Sequence, residues 1–216
     1  EFEKEYNRAV LLNLGTPVPA KELWQLVLNS LLESGMPYIN NIDRANASSN
    51  HSIYGKVNSS NLCIEIQQYH DEETTANCCL GAIVVDQFVN SKFELDKAGL
   101  HKAVKTIVYA LNKVIDTNKY STAQAKKGSE QRAIAIGMVG LADAFAKANI
   151  PYDSDKAVRS AARLQAEIYL AAIKASHEYS KEYNVVYKDY HKSNHSKGIL
   201  HYHQHVSPSE NAFNPS

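Results

Sequence analysis

At 216 residues the chain is long enough to bury the core of one sizeable domain. Hydrophobic residues make up 44% and charged residues 21%, which excludes a chain too polar to fold and one built for a lipid interior. Lysine plus arginine equals aspartate plus glutamate at 23 each, so no net field draws the chain to nucleic acid or to an anionic membrane. The three cysteines are odd in number and too few for a disulfide scaffold, so free thiols in a reducing compartment are expected. No apolar run approaches the roughly 18 residues of a spanning helix, and no signal peptide is visible. These features together predict a cytoplasmic protein with no membrane and no direct nucleic-acid partner. The first residue is not methionine and the last are Asn214-Pro215-Ser216, from which we expect a piece of something larger.

In chain order, a polar Glu/Lys/Tyr patch ends in the breaker Gly15-Thr16-Pro17-Val18-Pro19. From Ala20 the apolar residues Leu23, Val27, Leu28 and Leu31 recur at helical spacing, with Gly35 as a left-handed cap and Pro37 as a stop. Tyr38 to Ile42 reads as a short strand, and residues 43–58 as a loop rich in Asn and Ser. A polar bend from Gln67 to Thr75 precedes a small, apolar run from Asn77 to Val85 that suits a buried strand. Asp96 can cap a helix to about Asp116, with Leu100, Val104, Ile107, Val108, Leu111 and Ile115 on its core face. Tyr120 to Ser129 reads as a polar connection. A short strand, a glycine-marked close approach and a helix to about Ala148 follow from Arg132. Asp153 or Ser154 can cap a long helix to about Tyr183, and from about residue 187 the chain reads as irregular. Helices alternating with short strands predict an α/β arrangement.

The most informative stretch is Ser59 to Ile66. Read as extended, it points Leu62, Ile64 and Ile66 one way and Asn61, Cys63 and Glu65 the other, because side chains alternate along a strand. That would set an amide, a thiol and a carboxylate in a row, the groups that sulfur and acid/base chemistry use. An ordinary half-buried strand gives the same pattern.

Cys78 and Cys79 are adjacent, and neighbours in sequence rarely bridge each other, so one of them could exchange with a distant thiol while both could equally be packing residues. His201, His203 and His205 would share a strand face, with His191 and His195 upstream, which raises a His-rich metal-binding module as an alternative. No acid or paired cysteine stands at ligand spacing, so no metal site is assigned. Gly137 and Gly140 lack the full phosphate-loop pattern, and Lys126-Lys127-Gly128 reads as a solvated basic loop.

Ser60-Asn61-Leu62-Cys63-Ile64-Glu65-Ile66 resembles the S-N-L-C-x-E-I signature of the class I ribonucleotide reductase large (catalytic) subunit. Four further blocks agree in order: Ala20–Trp24 with Gly35-x-Pro37-Tyr38-Ile39, Asn77–Ile83, Arg132–Asp143, and Lys197-Gly198-x-Leu200. The resemblance covers about residues 20–200, within one segment, 1–216, of a catalytic barrel domain. It implies part of a ten-stranded α/β barrel with long helices and the signature on a finger loop inside it.

By that resemblance Cys63 becomes a thiyl radical that takes the 3′ hydrogen of a ribonucleotide. Glu65 is then the base for the 3′-hydroxyl, and Asn61 holds the substrate hydroxyls. Ser60, Asn61, Cys63 and Glu65 together form the implied substrate-binding set. Cys78, chosen over Cys79 by the C-x-L spacing to Leu80, is implied as one of two thiols that reduce the 2′ position and end as a disulfide. The segment itself is expected to bind no cofactor. Its implied partners are a radical-generating small subunit of the di-metal/tyrosyl type, the missing portions of the large subunit, and thioredoxin or glutaredoxin. An ATP-cone, the phosphate loop, the relay tyrosines and the C-terminal cysteine pair are not recognised in this sequence. A non-catalytic remnant is therefore the rival reading, and host cytoplasm the location for a viral gene.

Overall fold

In the computed structural model, which describes residues 2–204, the chain runs α1 (Phe2–Leu11), α2 (Ala20–Ser34), α3 (Ile42–Ala47), β1 (Leu80–Val84), α4 (Lys97–Thr117), α5 (Ala123–Ser129), β2 (Ala135–Val139), α6 (Leu141–Lys147) and α7 (Asp155–Tyr183), with short 3₁₀ turns between and after them. Capping chemistry sets the boundaries of the long helices. Asp96 accepts from the Gly99 N–H at the start of α4, and Ser154 accepts from the Ala157 N–H at the start of α7. Gly35 closes α2 in the left-handed conformation and returns its N–H to the Leu31 carbonyl.

β1 and β2 lie parallel, with Leu80 opposite Ala135 and Val84 opposite Val139. A parallel pair needs a crossover of a dozen or more residues, here the stretch that contains α4 and α5. Helices α4 and α7 pack together over a core of Leu100, Val104, Val108, Leu164, Ile168, Ala171 and Ala175, joined by Ile83 and Val85 at the end of β1. The α4 and α7 members of this core recur at the three- or four-residue spacing that keeps one helical face inward.

A polar clasp closes the same helix pair at its far end. Arg132, whose backbone is left-handed at φ 47°, donates to both Asp116 carboxylate oxygens at 2.6 and 3.2 Å and to Asn112 Oδ1 at 2.9 Å. Tyr179 donates to Asp116 from the α7 side at 2.8 Å. The guanidinium holds the Asp116 carboxyl below the usual carboxylate range.

The N-terminal helices stand apart from this core. None of the residues of α1 or α2 is buried, and Leu23, Trp24, Leu26 and Leu32 are more than half exposed. Among the described residues, no helix is long and apolar enough to cross a membrane.

Four local expectations are corrected. The opening patch is helix α1, whose Phe2, Tyr6 and Val10 at four-residue intervals were the available signal. Ile42 opens helix α3 rather than ending a strand, and Tyr38 to Asn40 form no strand. The polar connection contains helix α5, capped by Thr122 through a bond from the Ala125 N–H. The basic loop is packed rather than merely solvated: Lys127 pairs with Glu73 and Gly128 is buried.

Candidate functional site

The Ser59–Ile66 stretch is a turn, not a strand. Ile64 donates its N–H back to the Asn61 carbonyl at 3.1 Å and takes φ 65°. Period-two alternation therefore fails here, since a reverse turn breaks the strand pleat. Leu62, expected on an apolar anchor, is 81% exposed, while Ile66 is buried as expected and Ile64 only in part.

The turn is fastened by its own side chains. Ser60 Oγ donates to the Ile66 carbonyl at 2.7 Å, and Asn61 Oδ1 accepts from the Ile66 N–H at 3.1 Å. Ser60 and Asn61 are thereby half-buried, and Cys63 and Glu65 are left exposed at the tip. The turn thus presents a free thiol and a carboxylate to solvent, with the Asn61 side-chain oxygen already engaged by the Ile66 N–H.

Beyond Ile66 the chain doubles back. An antiparallel bridge joins Asp71 to Thr74, and buried Gln68 donates to the Asn77 carbonyl at 2.9 Å. This hairpin ties the Cys63 turn to the segment before β1 that carries the other two thiols. Cys78 is exposed and lines a cleft of about 290 Å³ with Cys79, Gln68, Asn77, Ser121 and Gly128. Ser60, Asn61, Cys63 and Glu65 do not line that cleft.

The two adjacent thiols differ sharply. Cys79 is half-buried, its Sγ 3.7 Å from the Leu111 carbonyl of α4, and burial pushes its thiol pKa up, with Cys78 adding to the effect. A thiol in that position supplies little thiolate for exchange.

A second cavity, of about 340 Å³, was not foreseen from the sequence. Its lining includes His51, Tyr54, Gln131, Tyr169, Tyr187 and His195. His51 Nδ1 accepts from the Tyr69 N–H at 3.3 Å, so its proton sits on Nε2. His195 Nδ1 lies 2.9 Å from the Tyr187 hydroxyl. Burial, then the neighbouring His195, lower the pKa of His51, while Gln131 opposes the shift. Burial likewise lowers that of His195. The Tyr54 hydroxyl, which donates to the Lys188 carbonyl, is pushed up to about 12, chiefly by burial.

The lowered imidazoles have a consequence for stability. The unfolded chain takes up these protons near the ordinary 6.5 while the folded chain resists them, so folding stability present above that pH is lost as pH falls through the folded values. Melting temperature should therefore decline from pH 7.5 to pH 5. His51→Asn, which keeps an acceptor in place of Nδ1 and cannot charge, should flatten the decline, and an unaltered slope would remove His51 from the account.

The histidine-rich tail forms a 3₁₀ turn over His201–Gln204 rather than a strand face, with the His201 N–H donating to the Tyr169 hydroxyl at 3.1 Å. His205 lies outside the described residues. Among the described residues no three His, Cys, Asp or Glu side chains are grouped to hold a metal ion.

Comparison with known proteins gives one answer. The family model for the ribonucleotide reductase barrel domain matches residues 1–214. The ribonucleoside-diphosphate reductase large subunit of Dictyostelium discoideum is 37% identical over 97% of this chain and 26% of its own length. The large chain of Cryptosporidium parvum is 39% identical over 93% of this chain and 25% of its own length. This chain thus spans about a quarter of the length of those relatives. The class Id ribonucleotide reductase alpha subunit of Actinobacillus ureae superposes with a TM-score of 0.61 over 74% of this chain and 32% of that one, at 22% identity, a likeness of fold. Five sequence blocks in order, a shared α/β fold and a match along nearly the whole chain lead to one conclusion: the chain belongs to the ribonucleotide reductase barrel-domain family.

Proposed function

We propose that this chain supplies the radical thiol and one reducing thiol of a ribonucleoside-diphosphate reductase. It would work in the cytoplasm as part of a ten-stranded α/β barrel completed by the remaining portions of the large subunit. The observation that carries this reading is the exposed Cys63 thiol on a side-chain-fastened turn, tied through Gln68 to the segment bearing Cys78.

The chemistry balances on these residues. A partner small subunit provides the oxidising equivalent that removes the Cys63 hydrogen atom. The sulfur radical takes the hydrogen from C3′ of the ribose, and the Glu65 carboxylate accepts the 3′-hydroxyl proton. The 2′-hydroxyl leaves as water with a proton from one thiol of the reducing pair, and the other thiol supplies the hydrogen that C2′ gains. Cys78 and a cysteine from the rest of the large subunit then deliver two electrons and become a disulfide. Glu65 returns its proton to the 3′-oxygen, Cys63 returns its hydrogen to C3′ and hands the oxidising equivalent back to the small subunit, and thioredoxin or glutaredoxin reduces the disulfide by exchange. Ser60 and the Asn61 amide N–H groups remain to hold substrate hydroxyls. Positioning of the reacting atoms supplies a large part of the acceleration.

Cys78 rather than Cys79 is the exchanging thiol in this scheme, because Cys78 is exposed while Cys79 is packed against α4 with its pKa raised. The test is co-expression with the missing large-subunit portions and a radical-generating small subunit, followed by assay of deoxyribonucleotide formation. Cys78→Ser should cut thioredoxin-driven turnover about a hundredfold or more, whereas Cys79→Ser should change it less than about threefold. Failure of the complemented wild-type protein to form any deoxyribonucleotide would overturn the reading.

A further inference from the structure

Ile64 is an unusual residue to find beside the Cys63 thiol. A β-branched side chain at φ 65° crowds the backbone, so nothing intrinsic to isoleucine selects this conformation. The neighbouring bonds to Ile66 from Ser60 and Asn61 close the turn around it. The Ile64 carbonyl is held from another direction, by Gln67 Nε2 at 3.1 Å. The same nitrogen reaches Asn40 Oδ1, in the stretch between α2 and α3, at 3.4 Å. Two acceptors facing one end of the Gln67 amide fix its orientation, since a flipped amide would set its oxygen against both. The cost of that orientation is visible: Gln67 Oε1 is buried and, among the described residues, has no hydrogen-bond partner.

We propose that Gln67 is a positioning residue for the Cys63 thiol: by gripping the Ile64 carbonyl and Asn40 together it keeps Ile64 left-handed and so fixes the direction in which Cys63 faces. What the thiol does once aimed rests on the reductase reading above, whereas the clamp itself does not. Strain maintained by surrounding bonds next to a reactive group is a known way of pre-organising a site.

The test uses the full chain in three forms: Gln67→Leu, Ile64→Gly, and the two combined. Amide exchange over residues 60–67 is followed by mass spectrometry, and kcat and KM are measured after complementation. Gln67→Leu should speed exchange in that segment about five- to tenfold, the population change that follows loss of one net hydrogen bond. In the complemented enzyme it should lower kcat by a similar factor with KM little changed. Adding Ile64→Gly should bring both back to within about threefold of wild type, because glycine enters the left-handed region without steric cost. A general packing defect would not be repaired by deleting a neighbouring side chain. Exchange within about twofold of wild type in Gln67→Leu, or no restoration in the combined variant, overturns the clamp. Full turnover in Cys63→Ser would instead sink the reductase reading and leave the exchange result standing.

Discussion

Cys63→Ser in the complemented enzyme should lower deoxyribonucleotide formation at least about a thousandfold, the scale of loss when the group that makes and breaks the bond is removed. The oxygen is isosteric enough for the fold. Its O–H bond, however, is much stronger than the S–H bond, so the hydrogen atom needed to start the cycle is not released. Stability should barely move, since Cys63 is exposed and exposed positions change stability by about 0.5 kcal/mol or less. Glu65→Gln keeps the shape of the second tip residue and removes its proton acceptor. It should cost about a hundred- to ten-thousandfold in turnover, the usual worth of a general base, again with the melt unchanged. Turnover retained in Cys63→Ser would refute the radical-site assignment, and a shifted melt would show that the thiol has a structural duty.

Gly128→Ala should act in the opposite way, through the fold. A Cβ built at Gly128 would fall 1.8 Å from the Thr75 carbonyl oxygen, far inside any tolerated contact. The two backbones cannot simply part. The Thr75 N–H donates to the Gln124 carbonyl at 3.1 Å, Asn77 Nδ2 donates to the Ala125 carbonyl at 2.8 Å, and Lys127 pairs with Glu73. Admitting one methyl group therefore means detaching α5 from the hairpin that leads into Cys78. The expected loss is about 3 kcal/mol, an overpacking cost at the upper end of its usual range. For a chain of this length that lowers the melting temperature by about 6–12 °C. Because Gly128 and Asn77 line the cleft of Cys78, Cys78-dependent turnover should fall with it. A melt within about 1 °C of wild type would mean that α5 is not docked in this way.

Much of this protein is legible without coordinates wherever the deciding energies act between near neighbours. The cores of α4 and α7 repeat at helical spacing, Asp96 and Ser154 stand where a side chain can satisfy the first free N–H groups, and Gly35 sits where only a residue at ease with positive φ ends a helix well. The family, too, is written in the chain, because its blocks are fixed residue types at fixed spacing. The same local reading failed at Ser59–Ile66, where an alternating pattern suits a strand and the closing bonds from Ser60 and Asn61 make a turn instead.

Other choices were settled only by contacts between residues far apart in the chain. Gly128 is a requirement imposed by Thr75, Arg132 finds its place through Asp116 and Asn112, and Cys79 is set apart from Cys78 by the carbonyl of Leu111. His51 and His195 meet across a cavity that no spacing rule anticipates. Periodicity, caps and signature blocks encode what a residue does to its own turn or strand. Which backbone or side chain lies opposite it is decided by how whole elements pack, and that depends on many weak contacts summed over the core rather than on any one stretch of sequence.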